Sequence, residues 1–85
     1  MSALAVLTKR QIRVLDAVAR AQKDGHMAAS IVDVLTEMPS EPIVDMLADL
    51  LELERRKCVE MFRGKRYWRM WLTQLGWSTL DEMGL

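Results

Sequence analysis

The amino-acid sequence predicts a mainly α-helical domain carrying a small β-hairpin. Three observations point there. Apolar residues recur at helical spacing in three successive stretches up to Glu54, the repeat shortens to two residues between Cys58 and Leu72, and glycine or proline falls at the junctions. At 85 residues the chain has the size of one domain, 1–85, with a core expected over 8–76 and a tail or short helix over 77–85.

Hydrophobic residues make up 51% of the chain and charged residues 28%, which excludes the low-hydropathy composition of disordered segments. The single cysteine, Cys58, has no partner for an internal disulfide, so a reducing compartment is expected. The apolar start, Met1 to Leu7, lacks a basic leader and is too short for a signal peptide or a membrane span, so the expected location is cytoplasmic and off the membrane.

Thr8 opens the first helix, because Thr8-Lys9-Arg10-Gln11 has the capping-box form in which the threonine hydroxyl and the glutamine side chain satisfy free backbone amides. Ile12, Leu15, Val18, Ala19 and Gln22 follow at helical spacing, with Val14 widening the stripe; Lys9, Arg10, Arg13, Arg20 and Lys23 mark the opposite face. Gly25 is expected to close this helix near Asp24. His26 and Met27 fit a very short strand or turn. A second helix is expected over 28–38, where Ile31, Val34, Leu35 and Met38 share one face.

Pro39 and Pro42 break that helix, and Ser40 is the expected cap of a third, Glu41 to Glu54. Its apolar face is read as Ile43, Val44, Met46, Leu47, Leu50, Leu51 and Leu53; Glu41, Asp45, Ala48, Asp49 and Glu52 fall on the other side. From Lys57 to Leu72 the two-residue repeat predicts a hairpin turning at Arg63-Gly64-Lys65-Arg66. Val59 and Met61 alternate with Cys58, Glu60 and Phe62, while Trp68, Met70 and Leu72 alternate with Tyr67, Arg69 and Trp71. So small a domain cannot bury all these aromatic rings, so some are expected to meet a partner or lie under the tail. Thr73 can cap a last short helix through Leu75, Trp77, Leu80 and Met83, which Gly76 is expected to weaken.

The formal net charge is zero, yet the charges are segregated. Five cations and two anions precede Asp33; seven carboxylates and no cation lie between 33 and 54; seven cations and one glutamate follow up to Arg69. A partner meets these local fields and not their sum.

Helix, short strand, helix, turn, helix and two-stranded hairpin is the order of the winged helix-turn-helix superfamily. Gln11-Ile12-Arg13-Val14-Leu15 resembles the opening helix of multiple-antibiotic-resistance-type (MarR-like) bacterial regulators. Arg66-Tyr67 through Leu72-Thr73-Gln74-Leu75-Gly76 resembles their wing and its Leu-Thr-x-x-Gly ending, in a minimal form of the domain. The resemblance implies a three-helix core whose third helix enters the major groove and a wing lying along the phosphate backbone or minor groove. It points to Ser40, Glu41, Pro42, Asp45, Ala48 and Asp49 on the groove-facing helix and to Arg63, Lys65 and Arg66 at the wing tip.

The residues suit a wing-led contact better than a helix-led one. Basic side chains on a hairpin neutralise phosphates, whereas carboxylates facing a polyanion are unfavourable and base-edge readout relies mainly on Arg, Lys, Asn and Gln. The expected function is therefore a small DNA-binding regulator of bacterial or phage type. It would use Arg63, Lys65, Arg66 and Arg69 on the wing and, more weakly, Lys9, Arg10 and Arg13 on the first helix against double-stranded DNA. The alternative is a protein-interaction module. There Glu41, Asp45, Asp49 and Glu52 dock on a partner with a basic surface, and Tyr67 and Trp71 supply contact rings. The opposed acidic and basic faces also leave homo-oligomerisation open.

No enzyme is expected. The sequence holds no glycine-rich phosphate loop, no metal-ligand set around the lone His26 and no nucleophile paired with a base, so neither catalytic residues nor a metal or other cofactor is assigned. Cys58 and the seven methionines read as packing residues.

Overall fold

In the computed structural model, residues 7–23 and 28–84 are described. Helix α1 (Lys9–Lys23) starts at Thr8 as its sequence predicts: the Gln11 amide donates to Thr8 Oγ1 at 3.0 Å and the Thr8 amide to Gln11 Oε1 at 2.9 Å. The expected stop at Gly25 and the turn at His26-Met27 lie outside the described residues. A two-residue strand, β1 (Ala29–Ser30), comes next, and the second helix starts later than its apolar spacing suggests. That helix, α2 (Ile31–Glu37), takes Ser30 as its cap. Ser30 Oγ accepts from the Asp33 amide, and the Asp33 carboxylate accepts from the Ser30 amide at 3.0 Å.

Helix α3 (Ile43–Arg55) is entered from Pro42 and not from Ser40, with no side-chain cap. Proline fixes φ and has no amide to satisfy, so it serves at the entry without one. At the other end the Lys57 amide bonds to Glu54 O at 3.0 Å and the Cys58 amide to Leu53 O at 2.9 Å, with Lys57 at φ 68°. This is the paired closure that ends many helices through a left-handed residue, here held by a lysine.

Strands β2 (Val59–Arg63) and β3 (Trp68–Leu72) form the hairpin, with Arg63 opposite Trp68 and Phe62 opposite Arg69. Each strand begins one residue later than expected, which moves the turn to 64–67. Strand β1 pairs antiparallel with the far side of β3, so the sheet runs β1-β3-β2. Helix α4 (Gln74–Glu82) is capped by Thr73 Oγ1, which accepts from the Gly76 amide at 3.1 Å.

Val14, Leu15 and Val18 of α1, Val34 of α2 and Met46, Leu50 and Leu53 of α3 meet Val59, Met70 and Leu72 of the sheet and Leu80 of α4 in one core. Full burial of a Leu or Val stabilises by roughly 1.5–3 kcal/mol, and these side chains hold the three helices on the inner face of the sheet. The α2-turn-α3 pair and the hairpin make this a winged helix-turn-helix fold. Among the described residues no helix is long and apolar enough to cross a membrane.

Candidate nucleic-acid interface

The carboxylates of α3 do not form the free acidic face that helical phase suggests. Asp49 is only 4% exposed, and Arg10 reaches it from α1 with Nε–Oδ2 at 2.6 Å and Nη2–Oδ1 at 3.4 Å. Asp45 lies 3.9 Å from the same guanidinium, and Arg13 binds Glu41 at 3.2 Å. The Asp49 hydrogen bond and then its charge hold the Arg10 guanidinium above its ordinary value. Further along, Glu52 receives Arg55 and Arg56, and Glu54 receives Arg63, with Nη1–Oε2 at 3.0 Å. Hydrogen bonds from these arginines hold the Glu52 and Glu54 carboxyls below their ordinary value. Blocks of charge that are opposed in the sequence are thus joined in space.

The outward stripe of α3 is apolar instead. Val44 is 72% exposed and Leu51 45%, with Ile43 and Ala48 also exposed, so three residues expected in the core face solvent. The reason is geometric: the face of α3 packed between α1 and the hairpin is Met46, Asp49, Leu50 and Leu53, so with Asp49 turned inward the rest of a broad apolar stripe turns outward.

On the hairpin, Arg63 sits beside Glu54 and lies 5.2 Å from the Trp68 ring centre, on the inner side of the wing. Lys65 and Arg66 occupy the turn, exposed and outside any ion pair among the described residues. Gly64 allows that turn. A Cβ there would come 2.8 Å from Tyr67 O and 3.2 Å from the Phe62 ring. Arg69 lies over Tyr67, 4.8 Å from its centre, and donates from Nη2 to Tyr67 Oη at 3.2 Å. Trp71 is half-buried, and its Nε1 donates to Glu60 Oε2 at 3.1 Å.

Of the sequence-predicted site residues, the structure gathers Lys65, Arg66, Arg69 and Tyr67 at one end of the wing and turns Arg10, Arg13 and Arg63 toward carboxylates. Lys9 stands exposed at the start of α1. Phe62, which sequence reasoning did not single out, is 60% exposed and faces Arg69 across the hairpin. Its place on the polar side of an alternating strand is the signal that marks it. Burial pushes the Cys58 thiol up, which suits a packed residue and not a nucleophile. Among the described residues no three His, Cys, Asp or Glu side chains are grouped to hold a metal ion.

No family model matches the sequence, and no curated protein matches it. Solved structures that share the fold include the following two. BpsR of Bordetella bronchiseptica, whose DNA binding is regulated by 6-hydroxynicotinic acid, superposes with a TM-score of 0.75 at 25% identity, covering 94% of this chain and 58% of BpsR. AF1382 of Archaeoglobus fulgidus superposes with a TM-score of 0.79 at 15% identity, covering 94% of this chain and 86% of its own. The chain therefore spans a little over half the length of BpsR. Its winged helix-turn-helix resembles that of MarR-like regulators.

Proposed function

We propose that this chain is a small winged-helix DNA-binding protein, a transcriptional regulator of bacterial or phage type, that contacts double-stranded DNA chiefly through its wing. One observation carries the reading. Among the described side chains, the cations outside ion pairs are Lys9, Lys57, Lys65, Arg66 and Arg69, and three of the five lie within the wing's last turn and strand. Neutralising α3 internally removes most of the repulsion that its carboxylates would offer a polyanion, while the free charge collects where phosphates can reach it. The likeness to BpsR, a protein that binds DNA, supports the same reading.

The test is binding to random-sequence duplex DNA at low and moderate salt, followed by fluorescence anisotropy. Affinity is expected to fall steeply with salt. The Lys65→Ala/Arg66→Ala variant should bind more weakly and show a salt slope shallower by about 2, close to one for each phosphate contact removed. Absence of binding at micromolar protein in low salt overturns the reading.

The exposed stripe Ile43, Val44, Ala48 and Leu51 favours a second reading, a protein-interaction module that docks through α3. Its contact would be apolar, because Glu41, Asp45, Asp49 and Glu52 already have arginine partners. Under this reading Val44→Asp/Leu51→Asp abolishes a protein contact seen by sedimentation and leaves DNA affinity unchanged.

A further inference from the structure

We propose that the solvent face of the wing is a stacking platform for unpaired nucleobases, so that the preferred ligand is single-stranded or locally opened DNA. This rests on the DNA-binding reading above, keeping the wing as the contact and duplex binding as the weaker mode. Phe62 is 60% exposed and Tyr67 54%; the alternation of β2 puts the Phe62 ring on the side of the sheet away from the core, and Tyr67, in the turn, lies against Arg69, the residue opposite Phe62. A wing that only neutralises phosphates needs cations there and gains nothing from two large rings left in water.

The cations are interleaved with the rings. Arg69 stands directly opposite Phe62 and lies over Tyr67, and Lys65 and Arg66 follow on the turn between the two strands. A concave patch lined by Phe62, Gly64, Lys65, Arg66, Tyr67 and Arg69 results. Every base offers a flat π-face whatever its identity, and every nucleotide brings a phosphate, so alternating rings and cations suit a single strand. In an intact duplex those faces are covered by neighbouring base pairs, which leaves the rings without a partner. The carboxylates at the border are engaged: Glu60 accepts from Trp71, and Asp33 accepts from the Ser30 amide in the α2 cap. Both keep their charge, but Lys65, Arg66 and Arg69 in the patch outnumber them and no carboxylate lines it, so its field is cationic, which favours nucleic acid over an apolar protein surface.

The experiment compares a labelled mixed-sequence single strand of about 12 nucleotides with the duplex of the same sequence, using the full chain in anisotropy titrations at fixed low salt. The parent should bind the single strand at least about tenfold more tightly than the duplex. Phe62→Ala should weaken single-strand binding by roughly 5-fold to 150-fold and leave duplex binding within about twofold, whereas Phe62→Trp keeps or raises single-strand affinity. Circular dichroism checks that each variant is folded. If the duplex binds as tightly as the single strand, or if Phe62→Ala leaves single-strand affinity unchanged, the platform is refuted and the duplex-binding reading stands. If neither nucleic acid binds, both fail together. If Phe62→Ala instead dissolves a concentration-dependent dimer without changing single-strand affinity, the face is a protein contact and the proposal is overturned.

Discussion

Lys57 holds a backbone conformation, φ 68°, that costs an L-residue about 1–2 kcal/mol and glycine almost nothing. Lys57→Gly is therefore expected to raise stability by about 1 kcal/mol in chemical denaturation, because it keeps the closure of α3 and removes the strain. Gly76 makes the opposite point. Helix propensity marks it as a weak position in α4, yet a Cβ there would come 2.2 Å from Cys58 O and 3.1 Å from Leu72 Cγ. The residue that weakens the helix locally is what lets it lie against the end of the hairpin. Gly76→Ala should destabilise by about 1–3 kcal/mol, measured in the same way, despite its better helix propensity. Neither residue betrays its role by type, since both roles come from where a neighbouring carbonyl or turn falls.

At the scale of elements, periodicity located the helices of the core and the faces of the hairpin, and it failed where two elements share a side chain. Thr8 and Thr73 are caps because their hydroxyls lie three residues before the amides they bind, a spacing that can be read directly. Strand β1 is too short to show a repeat, and Ser30 is seen as the α2 cap only once its bonds to Asp33 are placed. Asp49 has the helical phase of a surface residue, and only the arrival of Arg10 from a residue 39 positions away accounts for its burial. That ion pair ties α1 to α3. Arg10→Ala should lower the thermal midpoint by leaving a buried carboxylate unmatched, and Arg10→Ala/Asp49→Asn should recover part of the loss. Additive effects in this cycle would show that the two groups do not stabilise each other. The hairpin's cations were legible as candidates, but the division between Arg63, which meets Glu54, and Lys65 and Arg66, which meet solvent, depends on three-dimensional register.

For the whole molecule, pairing the acidic helix with its basic neighbours makes stability sensitive to acid. Glu52 and Glu54 are held below their ordinary value of 4.5, so they favour the folded state above that pH and lose this contribution as pH falls through their lower folded values. The thermal midpoint is expected to drop below about pH 4.5, with Glu54→Gln making the decline shallower. The same substitution releases Arg63. In the duplex titration it should steepen the salt dependence by about 1, the increment for one added phosphate contact. An unchanged slope would mean that Arg63 stays on the inner side of the wing when its carboxylate is gone.

Beyond the two residues of β1, the Leu72 amide at the end of β3 donates to Gln22 Oε1 of α1 at 2.9 Å. A side chain from a helix thus supplies the acceptor that a longer first strand would have offered. It blunts that border of the sheet, leaving β2 as the side open to strand addition from another chain. Glu60 stands exposed on that open border, a charge that an incoming strand would have to match.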